Sequence, residues 1–414
     1  MRASRRNSLA TDSFNFTGPS MTSREIFVVG TARTAIGTFG GALKDVPNTQ
    51  LATTVVRAAL ERSGVPADAI GQVVMGNVIP TDVKDAYLSR VAAIDAGCAI
   101  DTPAFNVNRL CGSGLQAVVS AAQSIALGDC DIAIGGGSES MSRGPYFDTA
   151  ARFGARMGDA TLVDYMLGIL HDPWEKMHMG VTAENVAARY HISRDMQDAL
   201  AATSHQRAAA AIAAGYFRDQ IVPVEVKTRK GIVLFDTDEH VRPDTTVETL
   251  GKMKPAFKKD GSVTAGNASG INDGAGALVL AEGGRVAALG LKPLARLVGY
   301  AHAGVDPAYM GIGPIPATQK VLARTGLKIS DLDVIEANEA FAAQACTVIQ
   351  ELGLDPARVN PNGSGISLGH PVGATGAIVA IKAIAELHRT GGRYALVTLC
   401  IGGGQGIAAI FERV

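Results

Sequence analysis

The feature that most constrains this chain is an internal repeat. Residues 60–77 (LERSGVPADAIGQVVMGN) and 322–339 (LARTGLKISDLDVIEANE) align at a constant offset of 262 positions, with Leu60 opposite Leu322, Arg62 opposite Arg324, Gly64 opposite Gly326, Ile70 opposite Leu332 and Val73 opposite Ile335. Each segment predicts a helix that ends at a glycine, a polar turn and a short apolar strand. Two such units indicate a fold with two related halves.

The repeat continues downstream. Residues 110–137 and 369–404 each read as a turn, a small-residue helix, a strand and three consecutive glycines. The apolar runs Ile132–Ile134 and Tyr394–Cys400 lack alternation, which is typical of strands buried on both faces. We therefore predict an α/β protein whose two halves share a central layer of Ala- and Gly-rich helices. The two triple glycines are expected to be equivalent.

Residues 142–270 interrupt the repeat and predict an inserted loop domain that covers the functional site. A helical pattern runs from Val181 to Ala214 with a break near Ser193, and Gly215 is expected to cap it. The predicted halves are 22–141 plus 271–294, and 295–414. The basic, Ser-rich residues 1–21 are expected to be a disordered leader, or else the result of an upstream start codon with Met21 as the natural initiator; a transit peptide is the third alternative.

Composition excludes several classes of protein. A formal net charge of -1 and a pI near 6.7 give no general attraction for nucleic acid or an anionic membrane, so neither is an expected partner. Five widely spaced cysteines without a C-x-x-C pair argue against a disulfide framework and against a zinc site. We expect no bound metal and a reducing, cytoplasmic location.

Two turns carry the candidate nucleophile and its base. Cys111 lies in NRLCGSGLQ at a strand-to-helix turn, where the helix dipole is expected to lower the thiol pKa. His370, in SLGHPVGATG, lies within a few residues of the pseudo-equivalent position in the second half. A cysteine and a histidine facing each other across the two halves form an arrangement in which a base activates a thiol. A structural cysteine and a satisfied core histidine are the alternatives.

Two further residues follow strands of the second half. Cys400 precedes three glycines whose N–H groups can form an anion-binding nest, and the first-half strand (Ile132, Ala133, Ile134) has no cysteine to match it. Repeat symmetry therefore does not explain this thiol. Asn338 follows the strand at 334–337, where an amide can hold a water or stabilise an oxyanion, although asparagine is also common at turns.

Seven segments resemble the signature segments of the thiolase family: NRLCGSGLQA, GGGSESMS, HMGVTAENVA, TAGNASGINDGA, EANEAFAAQA, NPNGSGISLGHPVGATG and LCIGGGQG. The resemblance runs from about Glu25 to the C-terminus and includes the bacterial acetyl-CoA acetyltransferases and β-ketothiolases that feed polyhydroxyalkanoate synthesis. It implies a thiolase-like fold of two pseudo-symmetric, five-layered α/β/α/β/α halves with a loop domain inserted into the first. It also implies a homotetramer that is a dimer of dimers.

The resemblance implies a role for each candidate. Cys111 would accept the acyl group, His370 would be its base, and Cys400 would exchange the α-proton of the second acyl-CoA. Asn338 would hold a water that forms one oxyanion hole with His370. The backbone N–H groups of Cys111 and Gly402 would form the other.

The resemblance also implies a binding path for coenzyme A, which would be a substrate and product rather than a tightly bound cofactor. The pantetheine tunnel would be lined by His178, Met179, Phe257, Ala340 and Phe341, with Ser269 bonded to a pantetheine amide. Arg242 would contact the nucleotide and Met310 would shape the acyl pocket. Core packing is the alternative for Met179, Phe257 and Phe341. Thr249 and Leu250 depart from the Ser and Met of many relatives, which puts the adenine contact there in doubt.

These residues predict an enzyme that condenses and cleaves acyl-CoA thioesters through an acyl-cysteine intermediate. A ketoacyl-synthase-type condensing enzyme would use a second histidine, but this chain has Asn338 at that position and adds Cys400. The other alternative is a catalytically inactive thiolase-like binding protein.

Overall fold

A computed structural model describes residues 24–414, and the leader predicted for residues 1–21 lies outside that range. The strands of this part are β1 (Ile26–Arg33), β2 (Gly37–Thr38), β3 (Gln72–Gly76), β4 (Ala104–Val107), β5 (Ile132–Ser140), β6 (Tyr146–Asp148), β7 (Leu162–Asp164), β8 (Val224–Thr228), β9 (Gly231–Phe235), β10 (Asn272–Glu282), β11 (Ala295–Gly304), β12 (Val334–Ala337), β13 (Tyr394–Ile401) and β14 (Gln405–Arg413). The helices are α1 (Asn48–Ser63), α2 (Leu88–Asp95), α3 (Ser113–Leu127), α4 (Tyr165–Ile169), α5 (Met179–Arg189), α6 (Arg194–Ala213), α7 (Val247–Gly251), α8 (Gly283–Ala288), α9 (Pro314–Thr325), α10 (Ala342–Leu352), α11 (Gly365–Leu368) and α12 (Thr375–Thr390).

The principal sheet joins the two halves. Its strands follow the order β12-β13-β14-β11-β1-β10-β5-β3-β4, and β2 pairs with β10. The link between β11 and β1 is short, with only Phe27 opposite Arg296 and Val28 opposite Ala295. One apolar core contains strands from both sides of this link together with α3 and α12, so the central helices are packed between the two parts of the sheet.

The structure confirms the repeat. Helices α1 and α9 end at Ser63 and Thr325, and each is followed by a left-handed glycine, Gly64 with φ 69° and Gly326 with φ 71°. The strands β3 and β12 that follow are both parallel to their neighbours in the sheet. Local sequence determines both units in the same way, because only glycine adopts this left-handed conformation without strain.

The two triple glycines are not equivalent, and that prediction is wrong. Residues 135–137 lie inside β5, whereas residues 402–404 form the turn between β13 and β14. An added Cβ at Gly135 would lie 2.5 Å from the Cα of Val118 in α3, so this glycine allows a close approach between helix and strand. The glycines at 403 and 404 have φ values of 78° and 81°, so they are needed for a turn instead.

Small residues also allow the central helices to touch. An added Cβ at Gly114 of α3 would lie 2.7 Å from the backbone nitrogen of Ala377 in α12, and one at Gly376 would collide with Leu115. The stretch Leu110–Leu127 is long and apolar enough to cross a membrane, but 61% of it is buried within the protein. It is the core helix of this central layer, as the sequence predicts.

The segment between β5 and β10 packs against both halves, with α5 and α6 against α10 and α11 of the second. Its helical pattern breaks as predicted, because Ser193 accepts a hydrogen bond from the Met196 N–H and caps the start of α6. Arg33 in β1 anchors this segment through a buried bidentate pair with Asp238, with N–O distances of 2.8 and 2.9 Å. Both side chains are fully buried, so neither charge has water as an alternative partner.

Asp238→Ala is expected to lower the free energy of unfolding by about 3–5 kcal/mol, because it leaves the Arg33 charge buried and unpaired. Urea unfolding followed by circular dichroism measures this loss. Asp355→Ala is the control, since the Asp355–Arg358 pair is exposed and should contribute about 0–1 kcal/mol. Equal losses in the two variants would contradict the anchoring role of Asp238.

Candidate active site

One cavity of about 370 Å³ brings together residues from both halves and from the segment between them. Eleven of the thirteen residues singled out in the sequence line it: Cys111, His178, Met179, Phe257, Ser269, Met310, Ala340, Phe341, His370, Cys400 and Gly402. Asn338 and Arg242 lie just outside this lining. The wall also contains apolar residues that the sequence did not single out, among them Met141, Leu167, Leu170, Ile271 and Val372.

A tight turn presents Cys111 to this cavity. The Ser113 hydroxyl accepts a hydrogen bond from the Arg109 N–H at 2.8 Å and donates one to the Leu110 carbonyl at 2.7 Å. Leu110 has a φ of 46°, which is uncommon for a residue with a side chain. Helix α3 starts only at Ser113, so Cys111 lies in the turn that precedes the helix, as predicted.

The prediction that the thiol pKa of Cys111 is lowered is wrong. Burial raises this pKa to about 11, although the backbone N–H groups of Gly402 and Cys111 itself act in the opposite direction. Burial also raises the pKa of Cys400, and the neighbouring Cys111 raises it further. The helix dipole acts over short distances and is outweighed here by the loss of water around the sulfur. Both thiols are therefore neutral in the free protein.

The hydrogen bonds of His370 determine which ring nitrogen carries the proton. The Thr375 hydroxyl donates to the Pro371 carbonyl at 2.8 Å, so it can only accept from Nδ1 of His370, which lies 2.7 Å away. Nδ1 therefore carries the hydrogen and Nε2 is unprotonated, with its lone pair within hydrogen-bond distance of Nδ2 of Asn338. Burial lowers the pKa of His370 to about 4, which keeps the ring neutral near pH 7. A neutral imidazole with an unprotonated Nε2 can accept a proton.

Asn338 lies next to Nε2 of this imidazole. Its Nδ2 is 3.4 Å from Nε2 of His370, and its side chain is buried immediately after β12. Its Oδ1 is buried and has no hydrogen-bond partner among residues 24–414, and an unpaired buried oxygen of this kind is a common position for an ordered water. The geometry is thus compatible with a water held by Asn338 and His370.

Aromatic rings form one wall of the cavity. The rings of His178 and Phe257 stack with centroids 4.8 Å apart, and Phe341 meets Phe257 edge-on at 6.1 Å. Met179, Met310 and Phe341 also belong to a buried apolar cluster with Cys400. These side chains therefore belong to the apolar core and also line the cavity.

Arg242 lies in a second cavity of about 320 Å³. This cavity shares Ala265, Ala268 and Gly270 with the catalytic cavity, so the two spaces adjoin. Its other lining residues include Thr249 and Leu250, the two positions that depart from the family pattern. Together the two cavities give an extended space that runs outward from the thiols.

Two residues that hold His370 were missed in the sequence. Thr375 orients the ring, and Asn272 accepts the backbone N–H of His370 at 2.9 Å. Asn272 is 98 positions away along the chain, so no local pattern points to this contact. The only signal for Thr375 was its place one helical turn after His370.

The chain matches known proteins along almost its whole length. The family models for the thiolase N-terminal and C-terminal domains match residues 26–284 and 291–413. The chain is 67% identical over 392 residues to the β-ketothiolase BktB of Cupriavidus necator. This alignment covers 94% of this chain and all of the relative. It is 47% identical to the mouse mitochondrial 3-ketoacyl-CoA thiolase over 390 residues, or 94% of this chain and 98% of that protein.

Solved structures agree. The acetyl-CoA acetyltransferase of Bacillus anthracis superposes with a TM-score of 0.93 at 45% identity, covering 95% of this chain and 99% of that one. The human mitochondrial 3-ketoacyl-CoA thiolase in complex with CoA gives a TM-score of 0.92 at 44% identity, covering 94% and 98%. With both family domains matched in order and the thiols, imidazole and amide gathered in one place, this chain belongs to the thiolase family.

Proposed function

We propose that this protein catalyses the reversible Claisen condensation of two acetyl-CoA molecules, or of acetyl-CoA and a short acyl-CoA, to a 3-ketoacyl-CoA and free CoA. As a thiolase it is an acyltransferase. The observation that carries the proposal is the meeting of two neutral thiols and a neutral imidazole in one cavity.

In the first half-reaction, Nε2 of His370 takes the Cys111 proton as the sulfur attacks the thioester carbonyl. The tetrahedral oxyanion collapses, the C–S bond to CoA breaks, and His370 returns the proton to the departing CoA sulfur. Proton transfer within the site is needed because burial makes a free Cys111 thiolate unfavourable. The product is an acyl-Cys111 intermediate.

In the second half-reaction, Nε2 of His370 would take the proton of the neutral Cys400 thiol, and the Cys400 thiolate would remove an α-proton from a bound acetyl-CoA. The resulting carbanion would attack the acyl group on Cys111, the C–S bond to Cys111 would break, and His370 would return its proton to the Cys111 sulfur. The enolate oxygen would be held by His370 and a water on Asn338. The tetrahedral oxyanion would be held by the backbone N–H groups of Cys111 and Gly402. Each such donor contributes roughly 3 kcal/mol of barrier reduction in other oxyanion holes.

Coenzyme A would occupy the two adjoining cavities. Its pantetheine arm would pass His178, Met179, Phe257, Ala340 and Phe341, with Ser269 bonded to an amide, and its nucleotide would reach Arg242. Most of this path belongs to residues 142–270, which supports their role as an inserted domain for CoA. The presence of CoA in the human relative's complex also supports this path.

Two alternatives from the sequence are less well supported. A ketoacyl-synthase-type enzyme needs a second imidazole at the position of Asn338. An inactive binding protein would not need a histidine whose Nε2 is kept unprotonated through Thr375. The arrangement around His370 favours catalysis over either alternative.

We also propose a cytoplasmic homotetramer. The β6–β7 hairpin and the loop within it expose large apolar side chains, with Phe153 and Met157 at 87% and 98% exposure. An exposed apolar patch of this kind is typical of a protein–protein interface. All five cysteines, each in the described part of the chain, are free thiols, which is compatible with a reducing compartment.

Substitution of each thiol should separate the two half-reactions. Cys111→Ala should abolish both thiolysis of acetoacetyl-CoA and exchange of labelled CoA into acetyl-CoA. Cys400→Ser should keep the exchange within roughly tenfold, because exchange removes no carbon-bound proton, yet lose thiolysis by more than roughly a hundredfold. Residual thiolysis in Cys111→Ala equal to wild type would contradict the assigned nucleophile. Lack of both activities in wild type would favour the inactive binding protein.

The acyl side of the cavity predicts a preference for short substrates. Met141, Met310 and Val372 line the cavity, where Met141 and Val372 pack with Cys111 and Met310 packs in the cluster that contains Cys400. We expect the highest kcat/KM for four- and five-carbon 3-ketoacyl-CoAs and a steep loss beyond them. Met310→Ala should raise the relative kcat/KM for a six-carbon substrate by roughly tenfold. Equal kcat/KM for acetoacetyl-CoA and a ten-carbon substrate in wild type would show that the pocket does not select by length.

Thr375→Val should lower kcat by roughly 10- to 100-fold, because it removes the acceptor that fixes the proton on Nδ1 of His370. Thr375→Ser keeps the hydroxyl and should retain most of the activity. Steady-state kinetics of thiolysis measures both effects. Thr347→Val is the control, since the Thr347 hydroxyl is equally buried and bonds only to the Ala343 carbonyl. Wild-type kcat in Thr375→Val would contradict the tautomer assignment.

A further inference from the structure

The base of this site is carried by a buried loop, residues 360–374, which we call the His370 loop. It contains α11 but has little regular structure otherwise, so neighbouring side chains must hold it. Asn272 holds it in the middle, at the backbone N–H of His370. The two ends are held by two buried carboxylates that the proposed reaction does not use.

Glu339 holds the beginning of the loop. It follows Asn338 directly, and its Oε1 accepts a hydrogen bond from Nδ2 of Asn360 at 2.9 Å. Its Oε2 accepts from the Ser204 hydroxyl of α6 at 2.6 Å, and that hydroxyl lies 2.8 Å from the Ser367 hydroxyl in the loop. One carboxylate thus connects the catalytic amide, the inserted segment and the loop that carries the base.

Glu139 holds the end of the loop from the opposite half. Its carboxylate is fully buried at the end of β5 and accepts four hydrogen bonds. Three come from the segment after β3, namely from Nδ2 of Asn77 at 2.8 Å, the Val78 N–H at 3.0 Å and the Ile79 N–H at 3.0 Å. The fourth comes from the Gly373 N–H of the His370 loop at 2.8 Å.

The second half has no carboxylate at the position that the repeat makes equivalent to Glu139. Asn77 in the first half is equivalent to Glu339 in the second at the same offset, and each half pairs an asparagine amide with a glutamate. The position equivalent to Glu139 is Ile401, which has no polar atom. A carboxylate can accept four N–H groups at once, whereas an amide of the same size has only one oxygen. Burial raises the pKa of Glu139 to about 8, but the four N–H donors around it favour the ionised carboxylate.

We infer that Glu139 and Glu339 are positioning residues that fix His370 relative to Cys111 by holding the two ends of the His370 loop. This inference rests on the proposed role of His370 as the base for Cys111. Displacement of a base by about 1 Å can reduce a rate by roughly a hundredfold, so the precision of these contacts matters for catalysis.

Glu139→Gln tests the inference because its amide group would face two N–H donors in either orientation. We expect kcat for thiolysis to fall by roughly 10- to 100-fold while KM for CoA changes by less than about threefold. The pantetheine path, at Phe257 and Ser269, is not part of the loop. Glu339→Gln should give the same pattern from the other end. Ser204→Ala removes only one donor and should give a smaller loss.

Alkylation of Cys111 by iodoacetamide at about pH 9, where Glu139 is ionised and Cys111 is still a thiol, separates positioning from a simple charge effect. The negative charge of Glu139 raises the pKa of Cys111, so loss of the charge alone would speed alkylation. Displacement of His370 would instead slow alkylation, because the base no longer receives the thiol proton. We expect alkylation to slow by roughly tenfold in Glu139→Gln. Faster or unchanged alkylation would overturn the inference.

Glu184→Gln is the matched control. The Glu184 carboxylate is also buried and accepts the Ser262 and Val263 N–H groups, each at 2.8 Å, without contact to the His370 loop. It should lose stability in thermal unfolding but keep the alkylation rate of wild type. Equal slowing in this control would overturn the inference, since any buried carboxylate would then suffice. An inactive wild type would instead reject the proposed function, and an active wild type with a fully active Glu139→Gln would reject only the positioning role.

Discussion

The close approach of two helices that come from different halves of the chain underlies the whole site. Helices α3 and α12 touch because Gly114 and Gly376 present no Cβ at their crossing. The turn that carries Cys111 immediately precedes α3, and the loop that carries His370 immediately precedes α12. A larger residue at the crossing would push the helices apart, and Cys111 would move away from His370. The active site therefore depends on a packing constraint deep in the protein.

Burial determines the second property of the site, its state of protonation. Loss of water raises the pKa of both thiols and lowers that of the imidazole, so all three groups are neutral in the free protein. A neutral triad has no net charge to stabilise and can lie in an apolar cavity. Charge would arise only during reaction, when a proton passes from sulfur to Nε2. The Gly402 N–H already faces the Cys111 sulfur, where it would favour negative charge.

Much of this organisation could be predicted from sequence, because repeats, caps and buried strands are local signals. The helix ends at Gly64 and Gly326 and the helix break at Ser193 follow from single residues. The pKa of Cys111 could not be predicted, since its sign depends on how much water the folded cavity admits. The hydrogen bonds that Asn272 and Glu139 accept from the His370 loop could not be predicted either. Those contacts span 98 and 234 positions and are fixed only by the packing of the two halves.

The two pseudo-symmetric halves contribute different side chains to the cavity at equivalent positions. At positions that match through the repeat, the second half has Asn338 where the first has Gly76, and Cys400 where the first has Ser138. Gly76 cannot become asparagine, because an added Cβ there would lie 2.6 Å from the Ser113 carbonyl carbon and 2.7 Å from the Gly373 carbonyl oxygen. The first half must remain small at this point so that the Cys111 turn and the His370 loop can pack together. The amide of Asn338 is consequently confined to the half that has room for it.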